Sequence, residues 1–263
     1  MDRAKKAWIN LILLGLTLGV NSLGAFGLFN GLSQKDISDR YLTLITPSSS
    51  TFGIWGLIYG LLILAVIVTI LRQDDPYYGR AIDELSGLFW LSCLMNIGWI
   101  VAFSFVLLEL SVGFIFAFVI TLAWINRKLG KFHEAKRWLL PLTFGLYGGW
   151  LFIASVVNTA AMLVKRGWNG FGVSASLWAV VILVVAIILV GLVLLRLRNA
   201  AFPLPIAWAF FGIYQQQRID MSGDVTVLMV VSLLGMVVLI GLAAIQLYRN
   251  QYEVLPIPHS SGL

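Results

Sequence analysis

Residues 52–72 read FGIWGLIYGLLILAVIVTILR, and no residue before the final arginine carries a charge. A helix needs about 20 mostly apolar residues to cross the ~30 Å hydrocarbon layer of a bilayer. Seven further stretches are comparably apolar: 8–30, 86–107, 110–126, 138–164, 173–197, 201–217 and 225–248. Hydrophobic residues make up 60% of the 263-residue chain and charged residues only 11%. The sequence therefore predicts an all-α polytopic membrane protein with eight spans and no separate soluble domain.

The same composition argues against several classes of function. Cys93 is the only cysteine and lies inside an apolar span, so neither a disulfide framework nor a cysteine metal site is expected. Both histidines, His133 and His259, fall outside the spans. No hydrolytic triad or phosphate-binding glycine loop is visible. We expect no catalytic residues, no metal and no nucleic-acid partner for the net charge of +6.

The positions of lysine and arginine predict how the chain is oriented. Cytoplasmic loops of membrane proteins carry an excess of these residues. Thirteen of the 18 basic residues fall on the side that holds both termini, and five fall on the other side. The smaller group is Lys35, Arg40, Lys165, Arg166 and Arg218. This asymmetry predicts a cell-membrane protein with both termini in the cytoplasm and an even number of spans.

Two of the spans admit another interpretation. Residues 201–217 begin with Pro203 and Pro205 and are alternatively a re-entrant segment. The first span follows three basic residues and is alternatively a secretory signal cut near residues 23–25. Against the second alternative, glycines at four-residue steps predict a face for close helix approach. They are Gly15, Gly19, Gly27 and Gly31.

Seven of the ten tryptophans fall into two groups. Four lie at span ends, where indoles favour the membrane interface: Trp8, Trp124, Trp138 and Trp168. Trp99, Trp150 and Trp208 lie well inside their spans. A buried indole N–H usually needs an acceptor, so each of these three is expected to face another helix or a polar-lined cavity.

Polar and aromatic residues recur three and four positions apart on three spans, which places each set on one helix face. The sets are Phe52, Trp55 and Tyr59; Asn96, Trp99 and Phe103; and Tyr147, Trp150, Ala154 and Asn158. With the predicted orientation, the three faces overlap in the outer half of the membrane, beneath residues 31–50. We call residues 31–50 the cap loop.

These motifs resemble the TspO/MBR family of tryptophan-rich sensory and translocator proteins. Pro47 to Tyr59, with Trp55, resembles the entry to that family's second helix. Asn96-Ile-Gly-Trp99 looks like its third-helix Asn-x-x-Trp, and Trp150, Ala154 and Asn158 match its fifth-helix pattern. The resemblance covers residues 8–164.

The resemblance implies a five-helix bundle with a pocket toward one membrane face, capped by the loop after the first helix. Such proteins bind tetrapyrroles and other flat hydrophobic molecules. The cap loop differs from the family pattern, since Ser48, Ser49 and Ser50 stand where a second proline and a tryptophan are usual. We expect residues 1–166 to form this bundle and residues 167–248 to form three extra helices, packed apart from the pocket. Residues 249–263 are expected to be a disordered polar tail.

The predicted function is therefore that of a binding or sensory membrane protein for a tetrapyrrole- or lipid-like ligand. No cofactor is required, although a porphyrin- or haem-like molecule is a candidate ligand. The alternative is a small-molecule transporter or exporter that is not coupled through intramembrane charges, and an enzyme is disfavoured. Expected partners are membrane lipids and the small hydrophobic ligand, and a homodimer is left open. The predicted ligand-binding residues are Trp55, Tyr59, Asn96, Trp99, Phe103, Tyr147, Trp150, Ala154 and Asn158.

Two simpler interpretations of these residues stay open at this point. Asn96 and Asn158 are alternatively structural, each forming a hydrogen bond across helices. The tryptophans are alternatively an interface anchor at Trp55 and packing against glycine faces at Trp99 and Trp150. The glycines concerned are Gly56, Gly60, Gly145 and Gly149.

Overall fold

The computed structural model describes residues 1–220 and 226–258, and its regular structure in these residues is helical, with no β-strand. His259 lies outside the described residues. Short 3₁₀ turns form at Ser49–Gly53 and Gly170–Gly172. The α-helices are α1 (Arg3–Ala25), α2 (Gln34–Arg40), α3 (Ile54–Leu71), α4 (Pro76–Ser104), α5 (Leu108–Phe132), α6 (Leu139–Lys165), α7 (Ala175–Leu197), α8 (Pro203–Asp220) and α9 (Thr226–Arg249).

Seven of these helices, all except α2 and α8, are long and apolar enough to cross a membrane. This confirms the prediction of a polytopic all-α membrane protein. The predicted span 201–217 forms α8, which does not belong to the group of seven. Its last turns are too polar, because they contain Gln215, Gln216, Gln217 and Arg218.

The connection from α7 to α8 turns inside the bundle. α8 begins beside Gly149, ten residues into α6 and so roughly 15 Å along that helix. Irregular backbone at membrane depth is tolerated only where protein buries it. Here the fully buried Asn199 donates to the carbonyl oxygen of Pro141 and to Asn126 Oδ1, both at 2.8 Å, and accepts from the N–H of Ala201. The seventh predicted span is therefore partly a buried turn and partly a helix.

Two glycines of α6 make room for this turn. A methyl group at Gly149 would overlap the carbonyl oxygen of Phe202, and one at Gly145 would overlap the amide of Asn199. Gly56 and Gly60 have nothing within 4 Å of such a methyl group. The interpretation that Trp99 and Trp150 pack on these glycine faces is therefore wrong, because the close approach at α6 is made by the α7–α8 turn.

The bundle has two ends, which we call the terminus end and the loop end. At the terminus end, Arg3 at the start of α1 pairs with Asp83 near the start of α4, with 2.7 Å between Nη2 and Oδ2. α9 finishes at this same end, where the side chain of Asn250 donates to the carbonyl oxygen of Arg198 at 2.8 Å. The start of α1 and the described chain after α9 thus lie at one end of the bundle. Which side of the membrane this end faces stays a prediction.

The chain after α9 is folded as far as the structure describes it. Leu255 is fully buried, and the carbonyl oxygen of Val254 accepts from the N–H of Ala200 at 2.9 Å. Glu253 Oε1 accepts from the N–H of Lys136 at 3.0 Å. The expectation of a disordered tail is therefore wrong for residues 249–258, because they close the gap below the α7–α8 turn. Residues 259–263 lie outside the described residues.

α1 packs through polar residues and not through its predicted glycine face. A methyl group placed on Gly15 or Gly19 would have no neighbour within 4 Å, while Gly27 and Gly31 lie beyond the helix with positive φ of 68° and 81°. The helix ends at Ala25 and cannot continue the ladder. The buried polar residues of α1 are instead Asn10, Thr17 and Asn21, which face α3 and α4.

All long helices share one apolar core. A single cluster of buried side chains includes Leu14 of α1, Trp150 of α6, Leu183 of α7, Phe210 of α8 and Leu239 of α9. Among the tryptophans at helix ends, Trp8, Trp124, Trp138 and Trp168 are exposed on the bundle surface. The domain boundary at residue 166 stays a prediction, but the described helices on its two sides are packed together.

Candidate functional site

A cavity of about 340 Å³ lies at the loop end, between α3, α4 and α6 and beneath the cap loop. Five of its wall residues are aromatic, and we call it the aromatic cavity. The cap loop, which contains α2, covers it with Gln34, Lys35, Ser38, Thr46, Pro47 and Ser49. The walls are formed by Ala25, Phe52, Trp55, Trp99, Phe103, Trp150, Ile153, Ala154, Val157, Asn158, Ala161 and Ala209.

Trp55 is at the centre of the aromatic wall. Its ring lies 6.1 Å from the ring of Trp99 and 6.1 Å from that of Trp150, edge-on to the latter. Tyr59 stacks on its other side at 4.9 Å. Trp55 therefore belongs to an interlocked ring cluster, and the alternative of a simple interface anchor is wrong. Aromatic pairs at these separations contribute roughly 0.5–1.5 kcal/mol beyond area burial.

The indole N–H of Trp150 has no hydrogen-bond partner among the described residues. Trp150 is only 2% exposed, and it lines the aromatic cavity. Leaving a buried donor unpaired costs about 1–3 kcal/mol, and the great majority of buried polar groups in proteins avoid that cost. An acceptor atom on a molecule inside the cavity would remove this penalty.

Asn158 is the main polar group of the cavity wall. Its Nδ2 donates to Ser111 Oγ of α5 at 2.9 Å, and its Oδ1 accepts from Ser111 Oγ at 3.3 Å. The indole N–H of Trp99 reaches the same Oδ1 only at 3.5 Å. Asn158 is thus bonded across helices and also faces the cavity, so its structural and ligand-facing interpretations are compatible.

Three of the predicted site residues do not line the cavity but form a buried chain of hydrogen bonds below it. The Tyr59 hydroxyl donates to Asn21 Oδ1 at 2.7 Å, and Asn21 Nδ2 donates to Asn96 Oδ1 at 2.6 Å. Asn96 Nδ2 then donates to the Tyr147 hydroxyl oxygen at 2.9 Å. This polar chain links α1, α3, α4 and α6. Its contacts favour the structural interpretation of Asn96, since its side chain is satisfied by the protein.

The other six predicted residues are brought together around the aromatic cavity. They are Trp55, Trp99, Phe103, Trp150, Ala154 and Asn158. Their spacing on α3, α4 and α6 places them there, because residues three and four apart share a helix face. Whether any of the nine residues binds a ligand stays a prediction.

α8 fastens the cap over the aromatic cavity. The N–H of Ser48 donates to the carbonyl oxygen of Gly212 at 3.0 Å, and its hydroxyl donates to Gln215 Oε1 at 3.1 Å. Trp208 Nε1 donates to the carbonyl oxygen of Thr51 at 2.9 Å. Gln217 Nε2 donates to the carbonyl oxygen of Leu44 in the cap loop at 2.8 Å. Ser48 stands where the TspO/MBR pattern has a second proline, and here it helps to hold the cap loop to α8.

The expectation that the extra helices pack apart from the pocket is wrong. Ala209 of α8 lines the aromatic cavity, and Gly212 contacts Thr51 so closely that a methyl group there would overlap its side chain. Sequence reasoning missed these residues because their partners are distant in the chain. It also missed Asn21, although its spacing from Asn10 and Thr17 places the three on one face of α1.

α2 closes the outer rim of the cavity with charged and polar groups. Ser33 and Asp36 form a reciprocal capping box at its start, which holds the pKa of the Asp36 carboxyl below its usual value. Lys35 pairs with Asp39 one turn later, and that bond raises the pKa of the Lys35 ammonium group. A cation, paired with Asp39, thus stands at the mouth of a mainly apolar cavity.

The described residues contain no group of three or more histidine, cysteine, aspartate or glutamate side chains placed to hold a metal ion. Cys93 is a free thiol buried in the core. What the site offers is aromatic surface, one unpaired N–H and the amide of Asn158.

Comparison with known proteins agrees with this architecture. Neither a curated protein nor a solved structure matches the chain. A model of the TSPO-like protein family matches residues 7–245, which includes α7, α8 and most of α9 as well as the first six helices. The sequence motifs, the all-helical membrane fold and this match together show that the chain belongs to the TSPO-like protein family.

Proposed function

We propose that this protein is a membrane receptor that binds a flat, hydrophobic, tetrapyrrole- or lipid-like ligand in the aromatic cavity. Membership of the TSPO-like family suggests a ligand-binding or sensory role in the membrane. The observation that carries the finer proposal is the unpaired N–H of Trp150, a residue that lines a cavity whose other walls are mainly apolar. Ligand sites are typically apolar with a few placed polar groups.

The ligand that fits has an extended ring or apolar face and an acceptor at its edge. The face packs against Trp99 and Trp150, and the acceptor takes the N–H of Trp150. A carboxylate at the other edge would lie near Lys35 at the mouth. At about 340 Å³ the cavity is near the lower limit of small-molecule sites, so a tetrapyrrole requires the cap loop to move outward.

Binding is favoured over transport by the floor of the cavity. The lining residues lie between the cap loop and Trp150, near the middle of α6, and the polar chain of Tyr59, Asn21, Asn96 and Tyr147 lies below them. A substrate crossing the bundle would have to break this chain. We place the aromatic cavity in the outer half of the cell membrane and both termini in the cytoplasm, since thirteen of the 18 basic residues lie on the terminus side.

The proposal is tested by titrating the purified protein in detergent with protoporphyrin and following tryptophan fluorescence. We expect saturable quenching, lost in part by Trp150→Phe and kept by Trp138→Phe, a substitution of an exposed indole at the terminus end. A parallel panel of fatty acids and sterols identifies the ligand class. Absence of saturable binding by every member of the panel would contradict the proposal. Flux of a bound ligand across proteoliposomes would favour the transporter instead.

A further inference from the structure

A second, larger cavity of about 1040 Å³ lies at the terminus end, between α5, α7, α9 and the chain after α9. Basic side chains from all three helices line it, and we call it the basic cavity. No aspartate or glutamate among the described residues lines it. The basic residues are Arg127, Lys131, Arg196, Arg198 and Arg249.

These five side chains form no ion pair with any carboxylate that the structure describes. Elsewhere at the same end, three basic residues are neutralised: Arg3 and Lys6 by Asp83, and Arg137 by Asp75. A cavity lined by charge of one sign concentrates its field and raises the local concentration of counter-ions. The basic cavity is thus an unneutralised anion-attracting site, assembled from residues more than a hundred positions apart in the chain.

The backbone supports this arrangement at some cost. Arg198 ends α7 in the left-handed conformation, with φ 52° and ψ 23°. Glycine is the usual residue at such a position, because a side chain there is strained. Asn250 holds the carbonyl oxygen of Arg198 at 2.8 Å, which ties α7 to α9. An arginine at a position that glycine would occupy with less strain is explained if its guanidinium group binds an anion in the cavity.

The walls beside the charges are apolar. Trp124 is 58% exposed and Leu195 is 63% exposed, and both line the cavity together with Ala123. Indoles at this level favour the boundary between headgroups and acyl chains. Guanidinium groups bind phosphate through two parallel hydrogen bonds. The site therefore offers cations for phosphate and an apolar surface for an attached acyl chain.

We propose that the basic cavity binds an anionic phospholipid with more than one phosphate, such as a diphosphatidyl lipid. The phosphates lie among Arg127, Arg196, Arg198 and Arg249, and an acyl chain lies along Trp124 and Leu195. Basic pockets between helices are known to hold headgroups of this kind. The site is at the opposite end from the aromatic cavity and does not depend on the function proposed for it.

The test uses the full chain in neutral detergent, with lipid adducts counted by native mass spectrometry during titration with a diphosphatidyl lipid. Phosphatidylcholine and inorganic pyrophosphate are titrated in parallel. The informative variant is Arg198→Gly, which removes one charge and relieves the left-handed strain, so it is expected to fold at least as well. Arg72→Gln is the matched control, since Arg72 is exposed at the terminus end, pairs with no carboxylate that the structure describes and lies outside the cavity.

We expect tight, saturable binding of the diphosphatidyl lipid and weak binding of phosphatidylcholine. Arg198→Gly should lower the affinity for the lipid about fivefold, which is the contribution expected of one basic residue near an anionic headgroup. Arg72→Gln should change this affinity less than about twofold. Equal effects of the two substitutions, or equal binding of phosphatidylcholine, would overturn the proposal. Pyrophosphate binding as tightly as the lipid would show a site for soluble phosphate and would overturn the assignment to lipid.

Discussion

The aromatic cavity and the polar chain below it share helix faces of α3, α4 and α6, yet their hydrogen-bond donors differ. In the polar chain, Tyr59, Asn21 and Asn96 each donate to a protein acceptor at 2.6–2.9 Å. In the cavity wall, about one helical turn nearer the loop end, the N–H of Trp150 has no hydrogen-bond partner in the part of the chain that the structure describes. Satisfied donors hold helices together, whereas an unpaired donor beside a cavity is available to a ligand. Under the proposed function, the residues of the polar chain are scaffold and those around the cavity are the ligand site.

The largest effect is expected on stability, at the polar chain. Asn21→Leu removes the acceptor of the Tyr59 hydroxyl and the donor to Asn96 Oδ1. A single hydrogen bond between membrane helices is worth only ~0.6 kcal/mol on average, but stranding buried partners costs about 1–3 kcal/mol. We expect the free energy of unfolding to fall by about 2 kcal/mol, measured by chemical denaturation in detergent micelles, with ligand affinity nearly unchanged.

Tyr59→Phe is the graded comparison for that substitution. It removes one hydroxyl and leaves Asn21 bonded to Asn96 and to the carbonyl oxygen of Thr17. The free energy of unfolding should fall by about half as much as in Asn21→Leu, or less. A ligand affinity that falls in step with stability in both variants would mean that the polar chain belongs to the site.

The next effect concerns the fastening of the cap. Gly212→Ala forces α8 away from Thr51, because the new methyl group overlaps the threonine side chain. Overpacking of this kind costs about 1–3 kcal/mol. Phe52 and Ser49 of the adjoining turn line the cavity, so we expect ligand affinity to fall about fivefold, measured by fluorescence quenching. Gly241→Ala on α9, with nothing within 4 Å of its methyl position, is the control and should leave the affinity unchanged.

If Gly212→Ala and Gly241→Ala behave alike, α8 does not control the cap. The expectation drawn from the sequence, that the extra helices are independent of binding, would then be restored. A truncation after Arg166 is a less informative version of this experiment, because it also exposes the apolar face that α6 presents to α8.

Helical spacing was enough to predict which six residues surround the cavity, but not what each of the nine contacts. Six residues at three- and four-residue steps were correctly placed around one cavity, because that spacing is a property of a single helix. The role of Asn96 depends on Asn21 of another helix. The anchoring of Ser48 depends on Gln215, 167 positions away. Contacts of that range are set by packing, which no single stretch of sequence displays.

The α7–α8 turn was beyond prediction for a related reason. Residues 199–202 read Asn-Ala-Ala-Phe, which by itself does not distinguish the start of a span from a buried turn. Their depth follows from Gly145 and Gly149 on α6 and from the side chain of Asn199. The two prolines at 203 and 205 did mark the region as irregular, which is the part of the pattern that local sequence carries.

The smallest effect is expected at the terminus end, where pH acts on the chain after α9. Burial lowers the pKa of His133 despite the nearby carboxylates of Glu253 and Glu134. Because the unfolded pKa of about 6.5 is the higher one, the opened state takes up a proton first. The packing of residues 250–258 against His133 is therefore fully stable above about pH 6.5 and weakens as the pH falls.

We expect amide exchange at Ala200, corrected for intrinsic rates, to show less protection at about pH 5 than at about pH 7.5. The donor concerned is bonded to Val254. His133→Phe should remove most of this pH dependence. If the pH dependence of exchange at Ala200 persists in this variant, groups other than His133 cause it.

The central claim is that the unpaired N–H of Trp150 marks the ligand site while the polar chain is scaffold. The direct test measures ligand affinity and unfolding free energy together for Trp150→Phe and Asn21→Leu. Trp150→Phe should lose about 1–2 kcal/mol of binding, roughly five- to thirtyfold in affinity, and keep its stability. Asn21→Leu should show the opposite pattern. Unchanged affinity in Trp150→Phe, or parallel losses of affinity and stability in both variants, would contradict the account.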